Sequence, residues 1–111
     1  MRIYKELETL GFFKWYCTQY GSLVYQEYKP VYDDLPLDNI IRTELNACVF
    51  KFFREKYGYN VSIRRQTKTI YQFVIESKDN EQHYHFIDFP FQNHEHSELE
   101  CIKKLIKIVT K

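Results

Sequence analysis

Four histidines fall within fourteen residues as two H-x-H pairs, His83/His85 and His94/His96. Imidazoles two residues apart on a strand project to one face, as a divalent cation requires of two ligands. Glu95 and Glu98 stand beside the second pair. If Pro90 to Asn93 folds back, the four imidazoles complete a tetrahedral set. A divalent metal at this cluster is the one cofactor these residue types suggest, and otherwise none is expected. The plainer account puts the strand histidines on an exposed edge. A second group is Arg64, Arg65 and Lys68, interleaved with Tyr59 and Tyr71. It offers cations for phosphates and rings for base stacking, or simply the solvated side of a hairpin. A third is the aromatic set Tyr59, Tyr71, Tyr84 and Phe86, suited to protein docking or self-association. Catalytic signatures are scarce. The three glycines are isolated, and Ser, His and Asp occur in no nucleophile context. Asp88 beside the histidines could orient an imidazole, but the expectation is a protein that is not an enzyme.

The elements that must position these groups follow from periodicity. Ile41, Leu45, Cys48, Val49, Phe52 and Phe53 recur at steps of three and four, which predicts a helix over 38–57 with one apolar stripe. Asp38 is the expected N-cap and Gly58 the stop. The period then becomes two. Tyr59, Val61 and Ile63 alternate with polar residues, as do Tyr71, Phe73 and Ile75, and a third run extends from His83 to Phe89, ended by Pro90. Ser97-Glu98-Leu99-Glu100 has capping-box spacing and predicts a helix over 97–110, with Leu99, Ile102, Leu105, Ile106 and Val109 inward. Upstream, Ile3, Leu7 and Leu10 predict a short helix before Gly11. Phe12 to Tyr20 leans to helix, and Leu23 to Lys29 reads as a strand ending at Pro30.

Composition bounds the rest. At 111 residues, 44% apolar and 28% charged, the chain is expected to form one α+β domain around one core. Residues 1–36 read as an N-terminal extension and 37–111 as an α-β-β-β-α core, a three-stranded or larger antiparallel meander with two helices on one face. No apolar run is long enough to span a bilayer, so no membrane partner is expected. Cys17, Cys48 and Cys101 are odd in number and far apart, which reads as reduced thiols in a cytoplasmic protein. Net charge is +1, but residues 79–100 hold six acidic side chains and no Lys or Arg. A global basic patch for nucleic acid is therefore excluded, and only local ones remain.

Two segments carry a resemblance: FKFFREKYGYNVSI (Phe50 to Ile63) and HSELECIKKLIKIVTK (His96 to Lys111). Together they resemble a group of small uncharacterised bacterial and prophage proteins. Those have an FREKYG-like helix end, a Tyr-rich β region and a C-terminal helix like this one. The resemblance spans about residues 45–111 and implies a phage-related accessory role without a defined activity. The helix-strand-strand-strand-helix order is also similar to the double-stranded RNA-binding domain. That family uses a turn and a Lys-rich last helix on phosphates. Here Arg64, Arg65 and Lys68 offer the turn, but Glu95, Glu98 and Glu100 stand where the lysines would be. The leading expectation is a non-catalytic protein-interaction or accessory module. Nucleic-acid binding through Arg64–Lys68 is the alternative, and metal binding at the histidines the third.

Overall fold

The structure, a computed structural model, describes residues 2–21, 29–36, 39–65, 71–77, 83–91 and 94–110. Four α-helices and a sheet appear in the order α1 (Ile3–Thr9), α2 (Phe12–Tyr20), a 3₁₀ helix (Lys29–Asp34), α3 (Ile40–Tyr57), β1 (Tyr59–Arg65), β2 (Tyr71–Ser77), β3 (His83–Phe91) and α4 (His94–Val109). The architecture mixes helix and sheet, in line with the α+β expectation.

α3 forms where the apolar spacing places it, but its start is set by a different residue. Asp38 lies outside the described residues. The cap is Asn39, whose Oδ1 accepts from the N–H of Ile41 at 2.9 Å and of Arg42 at 3.3 Å. At the other end Gly58 sits at φ 74°, a left-handed conformation that a Cβ would strain, and turns the chain into β1. β1 and β2 pair antiparallel without interruption from Tyr59↔Ser77 to Arg65↔Tyr71. β3 pairs with the other edge of β2, but its register shifts between Tyr71 and Phe73. Tyr71 stands opposite Phe91, whereas Phe73 stands opposite Phe86. Only β1 and β2 therefore form an even ladder. Pro90, expected to end the third strand, instead lies within it, beside the irregularity. A proline has no N–H for a regular ladder, and bulged or edge positions tolerate it.

The core is one cluster. It joins Leu45, Val49, Phe52 and Phe53 of α3, Phe73 and Ile75 of β2, and Cys101, Ile102, Leu105 and Ile106 of α4. Ile3, Leu7, Phe12 and Tyr16 belong to the same cluster, so the N-terminal helices are built into the core. Fully burying an apolar side chain of this size contributes roughly 1.5–3 kcal/mol. Cys17 and Cys48 are half-buried, Cys101 is buried, and all three are free thiols.

Two further expectations need correction. Lys29 and Pro30 do not close a strand but open the 3₁₀ helix; residues 22–28 lie outside the described part. Ser97 is not the N-cap that its capping-box spacing predicts. α4 begins at His94, and Ser97 is a fully buried residue within it. Residues 94–97 contain neither glycine nor proline, so nothing local stops the helix from starting a turn earlier.

Candidate functional site

That early start draws Glu98 into the interior. Had the helix begun at Ser97, Glu98 would lie in the exposed first turn. Beginning at His94, the helix places it one turn deeper, facing α3, with 5% exposure. Across the seam, the Asn39 cap phases α3 so that Arg42 and Asn46 share the inward stripe with Val49 and Phe53. Arg42 is 5% exposed and Asn46 2%.

These buried polar groups form a chain. At the end of the 3₁₀ helix the Tyr32 carbonyl accepts only a long bond, from the Leu35 N–H at 3.4 Å, and the Leu35 carbonyl follows just beyond it. Arg42 Nη1 donates to the carbonyls of Leu35 at 2.7 Å and Tyr32 at 3.2 Å. Its guanidinium also lies 5.0 Å from the centre of the Tyr32 ring, a cation–π contact in a dry setting. The Tyr32 hydroxyl donates to Asn46 Oδ1, and the Asn46 amide in turn hydrogen-bonds the Glu98 carboxylate. His94 Nδ1 lies 4.0 Å from Glu98 Oε1. Two buried atoms have no hydrogen-bond partner among the described residues: Arg42 Nε and Glu98 Oε1.

Burial sets the protonation chemistry. It pushes the Tyr32 phenol up; Arg42 opposes this, while Asp33 and Glu98 reinforce it. Tyr32 therefore stays a neutral hydrogen-bond donor and not a base. Burial also raises the Glu98 carboxyl, with His94 and the Asn46 hydrogen bond pulling it back and Glu95 adding to the rise. Glu98 is the member of this chain that borders open space. It lines a recess of about 210 Å³ with Phe50 and Arg54 of α3, Val61 and Ile63 of β1, and His94.

The residues singled out from sequence are distributed differently. Arg64 and Arg65 are the last residues of β1, in register with Gln72 and Tyr71, and Lys68 lies outside the described residues. His83 and His85 stand opposite Glu76 and Val74 on β2. His94 and His96 lie in the first turn of α4, where positions two apart do not share a helix face. His94 faces Glu98, and His96 Nε2 lies 3.7 Å from Glu100 Oε1. Among the described residues no group of three or more His, Cys, Asp or Glu is placed to hold a metal ion. Of the aromatic set, Tyr59 is half-buried and packs on the core. Tyr84 and Phe86 are in register with Ile75 and Phe73, the β2 residues buried in that core, and Tyr71 is in register with Arg65 and Phe91.

Sequence reasoning missed Tyr32, Arg42, Asn46 and the interior role of Glu98. A faint signal was available. Arg42, Asn46, Val49 and Phe53 follow one another at steps of four, three and four, so two polar residues continue an apolar stripe. Among the described residues no helix is long and apolar enough to cross a membrane. No family model, no curated protein and no solved structure matches this chain.

Proposed function

We propose that this chain is a non-catalytic accessory module that works by docking another protein chain, a second copy of itself being the first occupant to test. The observation that carries this reading is the outer flank of α3. Ile40 is 71% exposed and Tyr20, at the end of α2, 46%. Ile40, Glu44, Ala47 and Lys51 follow at steps of four, three and four, which makes one helical stripe, and Glu44 and Ala47 are exposed on it. Lys51 Nζ lies 5.7 Å from the centre of the Tyr20 ring and joins the stripe to the aromatic end of α2. An exposed aliphatic and an aromatic side chain within a charged rim is the composition of a docking surface. A non-catalytic role is supported by the direction of the shifted groups. Burial holds the Cys48 and Cys101 thiols and the Tyr32 phenol in their neutral forms, the opposite of nucleophile activation. The phage-related origin rests on the two sequence motifs.

Sedimentation velocity over a range of concentrations tests the reading. The expected mass rises with concentration for the native chain and stays monomeric for Ile40→Lys. A monomer at every concentration up to millimolar chain would end the self-docking form.

A second reading, nucleic-acid binding, draws on the placement of Arg64 and Arg65 together at one end of the β1–β2 hairpin. A three-stranded meander between α3 and α4 would match the double-stranded RNA-binding topology. The acidic opening of α4 works against phosphate contact there. Fluorescence anisotropy with duplex RNA at low salt separates the two: salt-steep binding lost in the Arg64→Glu/Arg65→Glu variant would favour this reading over the first.

A further inference from the structure

We infer that the recess between α3, β1 and the first turns of α4 is a binding site for a small zwitterion with an apolar body, of the class of the apolar α-amino acids. Three observations converge on this, none of them used for the docking surface. First, Glu98 is 5% exposed, its Oε1 has no hydrogen-bond partner among the described residues, and it lines the recess. The nearby His94 Nδ1, at 4.0 Å, is beyond hydrogen-bond distance of that oxygen. A buried carboxylate oxygen left unpaired is costly, and a ligand donor would relieve it. Second, Arg54 at the rim is exposed and carries no ion pair among the described residues. Third, Phe50, Val61 and Ile63 give the floor an apolar surface.

Charge complementarity selects the ligand. A simple cation would suit Glu98 but meet Arg54 and, once protonated, His94. A simple anion would suit Arg54 but meet the buried carboxylate. A molecule carrying both charges at one end satisfies both: its ammonium donates to Glu98 Oε1 and its carboxylate accepts from Arg54. Its apolar remainder then lies on Phe50, Val61 and Ile63. Size agrees, because about 210 Å³ is less than the roughly 300–1,000 Å³ that drug-sized ligands occupy.

The test is a titration of the ¹⁵N-labelled full chain followed by amide chemical shifts, with L-leucine, leucinamide and 4-methylpentanoate as probes. Leucinamide keeps the ammonium and loses the carboxylate, and 4-methylpentanoate does the reverse. L-Leucine should shift the amides of Phe50, Val61, Ile63 and Glu98 saturably, and each analogue should bind at least about tenfold more weakly, the loss expected for one charge-assisted contact. Arg54→Met, an exposed change that leaves the core intact, should weaken L-leucine by a similar factor while leaving the already weak leucinamide unchanged. Glu98→Gln should weaken L-leucine as well. No saturable shift with L-leucine at millimolar concentration, or equal binding of all three probes, would overturn the inference. So would unaltered L-leucine binding by Arg54→Met.

Discussion

The two halves of the interior that α3 runs through are held by opposite means. Towards Gly58 the contacts are aromatic. Phe52 meets Phe12 edge-on at 5.4 Å, Trp15 at 5.6 Å, Phe53 at 5.4 Å and Tyr57 at 6.0 Å. Lys56 covers this end with its Nζ 5.5 Å from the Phe52 and Tyr57 rings, and donates to the Leu10 carbonyl at 2.5 Å. Gly11, at φ 93°, leaves room there, since a Cβ would come 3.0 Å from that Nζ. Towards Asn39 the interior is wired through Tyr32, Arg42, Asn46 and Glu98. The aromatic half has many contacts, each weak by itself. The polar half has few, and each fixes one donor to one acceptor. The two halves therefore tolerate change differently. Shape errors are penalised in the first, and a missing partner in the second.

The largest expected effect breaks the aromatic half. Phe52→Ala removes the ring on which the others converge and should cost about 3–5 kcal/mol, a large part of a small domain's total stability. Urea unfolding measures it, and a loss below about 1 kcal/mol would show that this half is loosely packed. The next sharpens the contrast. Asn46→Ala strands the Tyr32 hydroxyl and the Glu98 carboxylate together, at about 1–3 kcal/mol for each group left unpaired. Tyr32→Phe removes one of those groups, so the double variant should lose less than the sum of the two, with a coupling of about 1 kcal/mol. Tyr32→Phe combined with Phe12→Leu should simply add. Equal coupling in both pairs would erase the distinction between the halves.

The smallest effect concerns pH. Burial raises the Glu98 carboxyl, so the folded chain binds that proton more tightly than the unfolded chain. The stability this group contributes is therefore present below the ordinary Glu value of about 4.3 and is lost as pH rises through the raised one. Glu98→Gln should gain on the native chain as pH increases from about 4 to about 7, read from denaturant midpoints at each pH. His94 and Glu95 both act on this carboxyl, so both chains carry His94→Gln and the difference between them isolates Glu98 from the imidazole. A difference independent of pH would mean that Glu98 behaves as a solvated carboxylate.

The same contrast explains what could be read from the chain. The aromatic half was legible: Leu45, Val49, Phe52 and Phe53 announce the buried stripe by spacing, and Gly58 announces its end. Strands alternating at period two were equally visible in Tyr59–Arg65 and Tyr71–Ser77. The polar half was not, because its members are residues that usually face water. Arg42 and Asn46 become interior only once the 3₁₀ helix and the residue after it bring Tyr32 and the carbonyls of Tyr32 and Leu35 against them. The burial of Glu98 is hidden because Ser97 has capping-box spacing whereas the helix starts at His94. Pairings at long sequence separation leave no periodic trace, and this site is built from them.

Asp33 takes the contrast into time. Its carboxylate accepts the backbone N–H groups of Ile3 at 3.0 Å and Tyr4 at 3.1 Å, thirty and twenty-nine residues away. α1 has only seven residues, far fewer than the ~12–15 below which an isolated helix is marginal. Asp33 is itself flanked by the Tyr32 and Leu35 carbonyls bound to Arg42. α1 thus depends on a cap thirty residues further along the chain and on an α3 that must anchor it. α1 should therefore form late, after α3 and the sheet have met, with folding rates almost indifferent to Ile3→Val and Leu7→Ala and φ-values near 0 at both sites. Unfolding should begin where folding ends, with the N-terminus peeling away from a body still intact.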